Sequence, residues 1–550
     1  MRILIDNRVR ASGATEEQLA ALRALGEHDN PALAELPRLR ASLAQRPRDR
    51  VLRARVAELE ALPAKVRLWE TEGDGALSLP RGVPWADACT FTERASTSVR
   101  TTLSAGDPLL RVWKTGDLRL RRPLWEHQAA FVEPALREDQ GVLRAATGSG
   151  KTMALLAVFA RVALPTLVVV PSQALADQWV ATALREVGGL RPEHVGLVGD
   201  GKFEVRPLTV AVCDSLAVDD CRRARELARS FGVLLFDEVY GAAARTRFAV
   251  VDASCARYRL AAGDDERRKD EGEFFTYAAF GRVLHTVTRK EAEASGAIVP
   301  VRVRLVETGC APPPWWEELD AYARGMRRTD LIRHLEADPG RAALLSALIT
   351  RAAREGQVLC FAHHVDHVRR MHADALAVTP EPGGLLPESG LAGRTGFFLG
   401  GAQMAKERRE TCARLRDGSC RAAFATYKAL GKGVDLPGAT RAVLASPIHN
   451  DREGVNQVLG RLCRSADGKQ APEALVLFDE RIFGPSFVRA FTRGGREVVV
   501  ERRGEGPGGR EVVAAREYLQ EVGDGQARRG GAGGDSGESA GSFFRKLGRR

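Results

Sequence analysis

Gly141-Val-Leu-Arg-Ala-Ala-Thr-Gly-Ser-Gly-Lys151-Thr152 is the stretch on which the reading of this chain turns. It opens apolar enough for a short buried strand and breaks at Thr147-Gly148-Ser149-Gly150. It resumes as Met153-Ala-Leu-Leu-Ala-Val-Phe-Ala160, an apolar run that reads as a buried helix. A strand that turns through glycines into a helix aims consecutive backbone N–H groups at one spot, where the helix dipole also favours an anion. Gly148 and Gly150 let the backbone come close to a phosphate, with Thr147 and Ser149 completing the cradle. The Lys151 ammonium can then reach β- and γ-phosphate oxygens, and the Thr152 hydroxyl can hold Mg2+. The strict pattern has glycine where this chain has Ala145. Lysine and threonine directly after Gly-Ser-Gly outweigh that departure.

The next anchor is Gly232-Val-Leu-Leu-Phe-Asp237-Glu238, four apolar residues running into two carboxylates. The acids therefore sit at the carboxyl end of a buried strand, where ligands bind in an open α/β sheet. Asp237 suits Mg2+, and Glu238 suits polarising a water for attack on a γ-phosphate. Upstream of the loop, Arg121-Arg-Pro-Leu-Trp-Glu-His-Gln128 leads into a helix, and the Gln128 amide carries both the donor and the acceptor that an adenine edge needs. Pro165-Thr-Leu-Val-Val-Val170 and Pro207-Leu-Thr-Val-Ala-Val212 read as further buried parallel strands. The alternation of strand and helix from about Gly141 to Leu305 predicts a doubly wound parallel sheet.

Pro312-Pro-Pro-Trp-Trp316 interrupts that pattern, and a second alternating segment follows. Its strands are Gln357–Ala362, Thr395–Leu399, Arg421–Thr426, Arg441–Ser446 and Leu475–Phe478. His363-His364, just after the first of them, reads as a polar turn, since no third ligand is spaced to make a metal site. Asn456 to Arg464 reads as a helix, with Arg461 and Arg464 three apart on one face and Gln457 four before Arg461. A fixed arginine pair can stabilise charge on a transferring phosphoryl group.

Five segments are expected. They are an α+β accessory domain over 1–117 with DNA binding as one possible role, a first α/β domain over 118–311, a helical linker over 312–340, a second α/β domain over 341–503, and a Gly/Arg-rich, largely disordered tail over 504–550. Within the first, Arg2–Asp6 reads as a strand, Thr15 to Gln18 as a capping box, Leu36–Leu62 as helices, and Gly73-Asp-Gly75 as a turn between strands. Within the tail, Arg510 to Glu521 reads as a short helix.

Composition fits this picture. Of 550 residues, 44% are hydrophobic and 28% charged, the balance of a globular chain rather than a disordered or fibrous one. A formal net charge of +11 fits a polyanion partner such as nucleic acid. The nine cysteines hold no Cys-x-x-Cys pair, which argues for free thiols. No apolar run is long enough to span a bilayer and Met1-Arg-Ile-Leu-Ile-Asp6 lacks a signal-peptide core, so a cytoplasmic protein is expected.

The order of these motifs, over roughly Leu118 to Glu480, resembles a superfamily 2 helicase of the DEAD/DEAH-like group. The nearest branch is the one holding xeroderma-pigmentosum-group-B-type repair helicases, phage recombination helicases and restriction-enzyme motor subunits. The resemblance implies two tandem RecA-like domains that sandwich ATP with Mg2+ and carry nucleic acid, DNA rather than RNA being the first expectation. It assigns Gln128 to adenine, Ala145–Thr152 to motif I, Val168–Trp179 to motif Ia, and Phe236-Asp-Glu-Val-Tyr240 to motif II. It places Gly433 and Asp435 of motif V at the nucleotide, and makes Arg461 and Arg464 of motif VI, with Gln457, the arginine-finger set. At motif III, Gly263-Asp264-Asp265 replaces the usual Ser/Thr-Ala-Thr. Its missing hydroxyls bear on the coupling of hydrolysis to strand separation. An RNA helicase, or an ATP-gated nucleic-acid-binding subunit with little unwinding of its own, are the alternatives.

Overall fold

In a computed structural model the chain forms two compact units, Met1–Ser295 and Gly296–Arg550. The structure describes residues 1–47, 49–88, 97–239, 244–264, 273–319, 321–378, 390–400, 404–430, 438–448, 459–460, 462, 471–492, 496–503 and 509–530.

Among the described residues the larger sheet of the first unit has eight strands. Their spatial order is Lys202–Phe203, Val195–Gly199, Leu208–Val212, Thr166–Val170, Val233–Phe236, Tyr258–Gly263, Gln140–Ala145, Val283–Val287. All neighbours run parallel except the short Lys202–Phe203 edge. The central strands Thr166–Val170 and Val233–Phe236 are buried along their whole length, which is why they read as unbroken apolar runs without alternation. The helix Lys151–Val162 is apolar from Met153 to Ala160 and buried throughout that run.

A five-stranded sheet precedes it, in the order Glu70–Thr71, Leu77–Pro80, Arg8–Ser12, Arg2–Ile5, Ser98–Thr101. Ile3, Val9, Leu22, Leu77 and Leu79 form its core. Thr15 and Gln18 close the capping box of the helix Glu16–Leu25. The helices Leu36–Gln45 and Arg50–Glu60 form a pair whose base is held by Asn30, which donates from its amide to the Pro63 carbonyl (2.8 Å). This sheet is not a separate body. Arg8 pairs with Asp252 at 2.7 Å, Arg259 donates to the Asn7 carbonyl, and the Ser104 N–H donates to the Cys255 carbonyl. The expected division at 117 therefore falls inside one unit.

Among the described residues the second unit also carries an eight-stranded sheet, ordered Thr395–Phe398, Ala422–Thr426, Gln357–Ala362, Ala439–Leu444, Glu473–Phe478, Arg302–Glu307, Val498–Arg503, Arg510–Ala514. Two expectations are corrected here. Arg302–Glu307 pairs with Glu473–Phe478 and Val498–Arg503, so it belongs to this sheet and the boundary lies near 295 rather than 311. An apolar run announces a buried strand but not which sheet will claim it. The stretch 312–340, expected as a helical linker, holds the helices Pro314–Glu317, Ala321–Met326 and Arg328–Ala337, and Trp315 and Trp316 cover Leu331 and Leu335 beside Ile482 and Phe483. Finally, the segment after 504 is ordered where described. Arg510–Ala514 is an antiparallel edge strand, and the helix begins only at Ala515, burying Tyr518, whose hydroxyl donates to Glu480 at 2.6 Å.

At the carboxyl ends of the second sheet, Asp479 follows one strand and Thr308 another. The fully buried Asp479 accepts two bonds from Arg341 (2.8 and 2.9 Å) and one from Thr308 (2.6 Å). Removing one side of such a pair strands the other charge in a water-free setting. Asp479→Ala is expected to destabilise the second unit by about 3–5 kcal/mol, read as a lowered midpoint in chemical denaturation. An unchanged midpoint contradicts this role for the pair.

Candidate phosphate-binding site

The loop strand Gln140–Ala145 lies between Tyr258–Gly263 and Val283–Val287, with Gly263 in register with Arg144 and Val287 with Ala145. The chain then turns through Gly148 and Gly150, whose φ values of 90° and 81° lie in the left-handed region that glycine adopts without strain. At Gly150 a Cβ would also strike the Gln128 amide. Gln128 is buried against the loop, its Nε2 donating to the carbonyls of Ser149 (3.2 Å) and Gly150 (3.4 Å), while its Oε1 accepts from the Trp125 N–H. His127 Nε2 meets the same Ser149 carbonyl at 3.0 Å. The Ser149 hydroxyl is buried with no partner among the described residues.

Three acids reach this loop from two neighbouring strand ends. Asp237, which is 2% exposed, accepts the Thr152 hydroxyl (2.9 Å) and the Trp179 indole N–H (2.7 Å) on Oδ2, and the Glu238 N–H (2.9 Å) on Oδ1. Glu238 holds φ at +53°, unusual for a residue with a side chain and the kind of backbone strain that gathers at functional sites. Its Oε1 stands 3.4 Å from Lys151 Nζ. Asp264, just past the strand Tyr258–Gly263, pairs directly with Lys151 Nζ and accepts the Thr147 hydroxyl at 2.8 Å.

The Lys151 ammonium is thus buried among carboxylates. Burial works against its charge. The charges of Asp264 and Glu238 and the bond to Asp264 outweigh that, and hold its pKa above the ordinary lysine value. One ammonium faces three carboxylates, Asp237, Glu238 and Asp264. The local surplus is negative, and the groups that carry it are hard oxygens. A hydroxyl and a carboxylate together, as in Thr152 and Asp237, fit Mg2+, which takes one or two protein oxygens and fills the rest of its shell with water and phosphate.

Of the residues singled out from sequence, Gln128, Thr147, Gly148, Ser149, Gly150, Lys151, Thr152, Asp237 and Glu238 come together here. Gly433, Asp435, Gln457, Arg461 and Arg464 lie outside the described residues, as does Tyr240. Sequence reasoning missed two members. Trp179 entered the sequence reading only as the last residue of the motif Ia stretch, although a buried indole needs a partner for its N–H. Asp264 carried the same signal as Asp237, an acid at the carboxyl end of a buried strand. His363 and His364 bond instead to the Pro447 carbonyl and to Glu336.

Residues 119–261 match the family described as type III restriction enzyme, res subunit, and residues 340–466 match the helicase conserved C-terminal domain. The chain is 28% identical over 365 residues to a Halobacterium salinarum protein named as a candidate DNA 3'-5' helicase, Rad25, covering 66% of this chain and 54% of that one. It therefore spans about half the length of that relative. It is 23% identical over 343 residues to helicase D10 of Escherichia phage T5, so named with the qualifier "probable", covering 61% and 67%. Among solved structures, the DUF1998 helicase MrfA bound to DNA shares the fold, with a TM-score of 0.50 at 15% identity over 77% of this chain and 58% of that one. Among the described residues no helix is long and apolar enough to cross a membrane.

Trp179→Phe keeps the ring and removes one donor from a buried carboxylate. It is expected to cost about 1–3 kcal/mol, seen as a lower thermal midpoint of the first unit. A midpoint equal to wild type would show that the indole bond holds nothing in place.

Proposed function

Taking as premise that the chain belongs to the superfamily 2 helicases, in the branch of repair, phage and restriction-motor enzymes, we propose that it is an ATP-dependent DNA helicase or translocase, working in repair, recombination or phage-related DNA processing. The observation that carries this reading is the bond from the Thr152 hydroxyl to Asp237, set beside a lysine that ends a glycine turn. Loop N–H groups and Lys151 bind the phosphates. Thr152 and Asp237 would hold Mg2+, which would supply positive charge to the phosphate oxygens as the γ-phosphoryl group is transferred. Trp179 and the Glu238 N–H keep the Asp237 carboxylate aimed at that position. Glu238 accepts a proton from the attacking water, and its fixed backbone holds it there without reorganisation. The Gln128 carbonyl oxygen retains a second lone pair for the amino group of adenine. Gly433 and Asp435 are assigned to nucleotide contact. Gln457, Arg461 and Arg464 are assigned to the phosphoryl group, with the two arginines as the cations that meet its charge.

DNA is favoured over RNA because the relatives named with a substrate are named for DNA. Tracking contacts go to phosphates, so binding is expected to be indifferent to sequence and to weaken steeply with salt. A second reading rests on Gly263-Asp264-Asp265, which lacks the motif III hydroxyls. It is an ATP-gated DNA-binding subunit that hydrolyses ATP but separates strands poorly.

ATP hydrolysis measured with no polymer, single-stranded DNA, duplex DNA or RNA is the test. DNA is expected to stimulate hydrolysis, and Lys151→Ala to abolish it. Removing a group that stabilises transition-state charge costs about 10²–10³ in rate, the loss expected for Arg461→Ala and Arg464→Ala. Hydrolysis indifferent to every polymer overturns the motor reading. Hydrolysis stimulated by DNA with no strand displacement favours the second.

A further inference from the structure

Asp264 uses both carboxylate oxygens on the phosphate loop. Oδ1 pairs with the Lys151 ammonium, and Oδ2 accepts from the Thr147 hydroxyl at 2.8 Å. Thr147 and Lys151 bracket Gly148-Ser149-Gly150, so one side chain bridges the start and the end of the turn. Its carboxylate engages the donor that a phosphate in this loop requires. The strand that carries it, Tyr258–Gly263, is paired along the loop strand, so the carboxylate approaches from the side and not from the helix.

The charges around the ammonium set this contact in competition with a bound triphosphate. Lys151 already faces Asp237, Glu238 and Asp264. A triphosphate adds anionic oxygens at the same nitrogen, and Mg2+ at Thr152 and Asp237 offsets only part of them. Asp237 is committed to Thr152 and Trp179 and buried. Asp264 is the acid placed to yield: it is part exposed where Asp237 is buried, and unlike Glu238, 3.4 Å from Lys151 Nζ, it also takes the Thr147 hydroxyl, so both of its contacts are groups that a phosphate would claim.

We propose that Asp264 is a positioning residue that acts as an internal competitor of the nucleotide. It holds Lys151 and Thr147 in their phosphate-facing places and is displaced when a nucleoside triphosphate arrives. The site then charges an entry cost against weakly held anions, and only a ligand that brings Mg2+ and several phosphate contacts overcomes it. The inference rests on the ATP reading above and adds to it a residue at motif III whose work is done on the loop itself.

Equilibrium binding of a fluorescent ATP analogue with Mg2+, and the thermal midpoint without nucleotide, test this on the full chain. Asp264→Asn keeps the shape and removes the charge. It is expected to tighten MgATP binding about tenfold, because like charges at such range disfavour one another strongly, and to lower the nucleotide-free midpoint by about 2–4 °C. Asp264→Glu is expected to restore both towards wild type, and Asp264→Ser serves in place of Asn if that variant does not fold. Weaker or unchanged binding in the neutral variants overturns the inference, the former making Asp264 a ligand-holding group. If wild type binds and Lys151→Ala does not, such a result falls on Asp264 alone. If wild type and Lys151→Ala behave alike, the ATP reading fails together with it.

Discussion

Lys151 keeps its charge in a place that water scarcely reaches, and the first unit is arranged to allow it. An isolated ammonium there would lose its proton. Three carboxylates prevent this, Asp237 and Glu238 from the end of one strand and Asp264 from the next. Those strands can deliver acids to one point because they run parallel and end on the same edge of the sheet. Parallel strands in turn demand helices on their faces, which is why the strand interiors are apolar throughout and leave chemistry to their last residues.

The arrangement is also rigid where it has to be. Three donors fix the Asp237 carboxylate, so it faces Thr152 before any ligand arrives. The backbone at Glu238 is held in a strained conformation. Asp264 differs from both: it is part exposed where Asp237 is buried, and unlike Glu238 it binds Lys151 and Thr147 together, groups that a phosphate would also claim. Stiffness in one acid and freedom in another give the site a fixed metal corner and an exchangeable anion, which is a sensible division of labour for a cycle that must bind and release nucleotide.

Much of this was legible in the residues. Glycine, lysine and threonine in a fixed order define the loop because backbone approach, charge and hydroxyl each need a particular residue type. The strand ending in Asp237-Glu238 was legible for the same reason. What escaped was pairing at a distance. Arg302–Glu307 has the composition of a buried strand, yet only its partners show that it belongs to the second sheet. Arg510–Ala514 lies in a Gly- and charge-rich stretch whose helical pattern hid an edge strand, since pairing to Val498–Arg503 supplies what local propensity does not. The work of Asp264 was hidden because its sequence position reads as a lost hydroxyl, whereas its meaning lies in two side chains more than a hundred residues earlier.

The central claim is that Thr152 and Asp237 form the Mg2+ corner of a nucleotide site. Binding of a fluorescent ATP analogue, titrated with and without Mg2+ in wild type and in Asp237→Asn, measures it directly. The account predicts that Mg2+ tightens binding in wild type and that the response disappears in Asp237→Asn while metal-free binding persists. An equal response to Mg2+ in both proteins would contradict it.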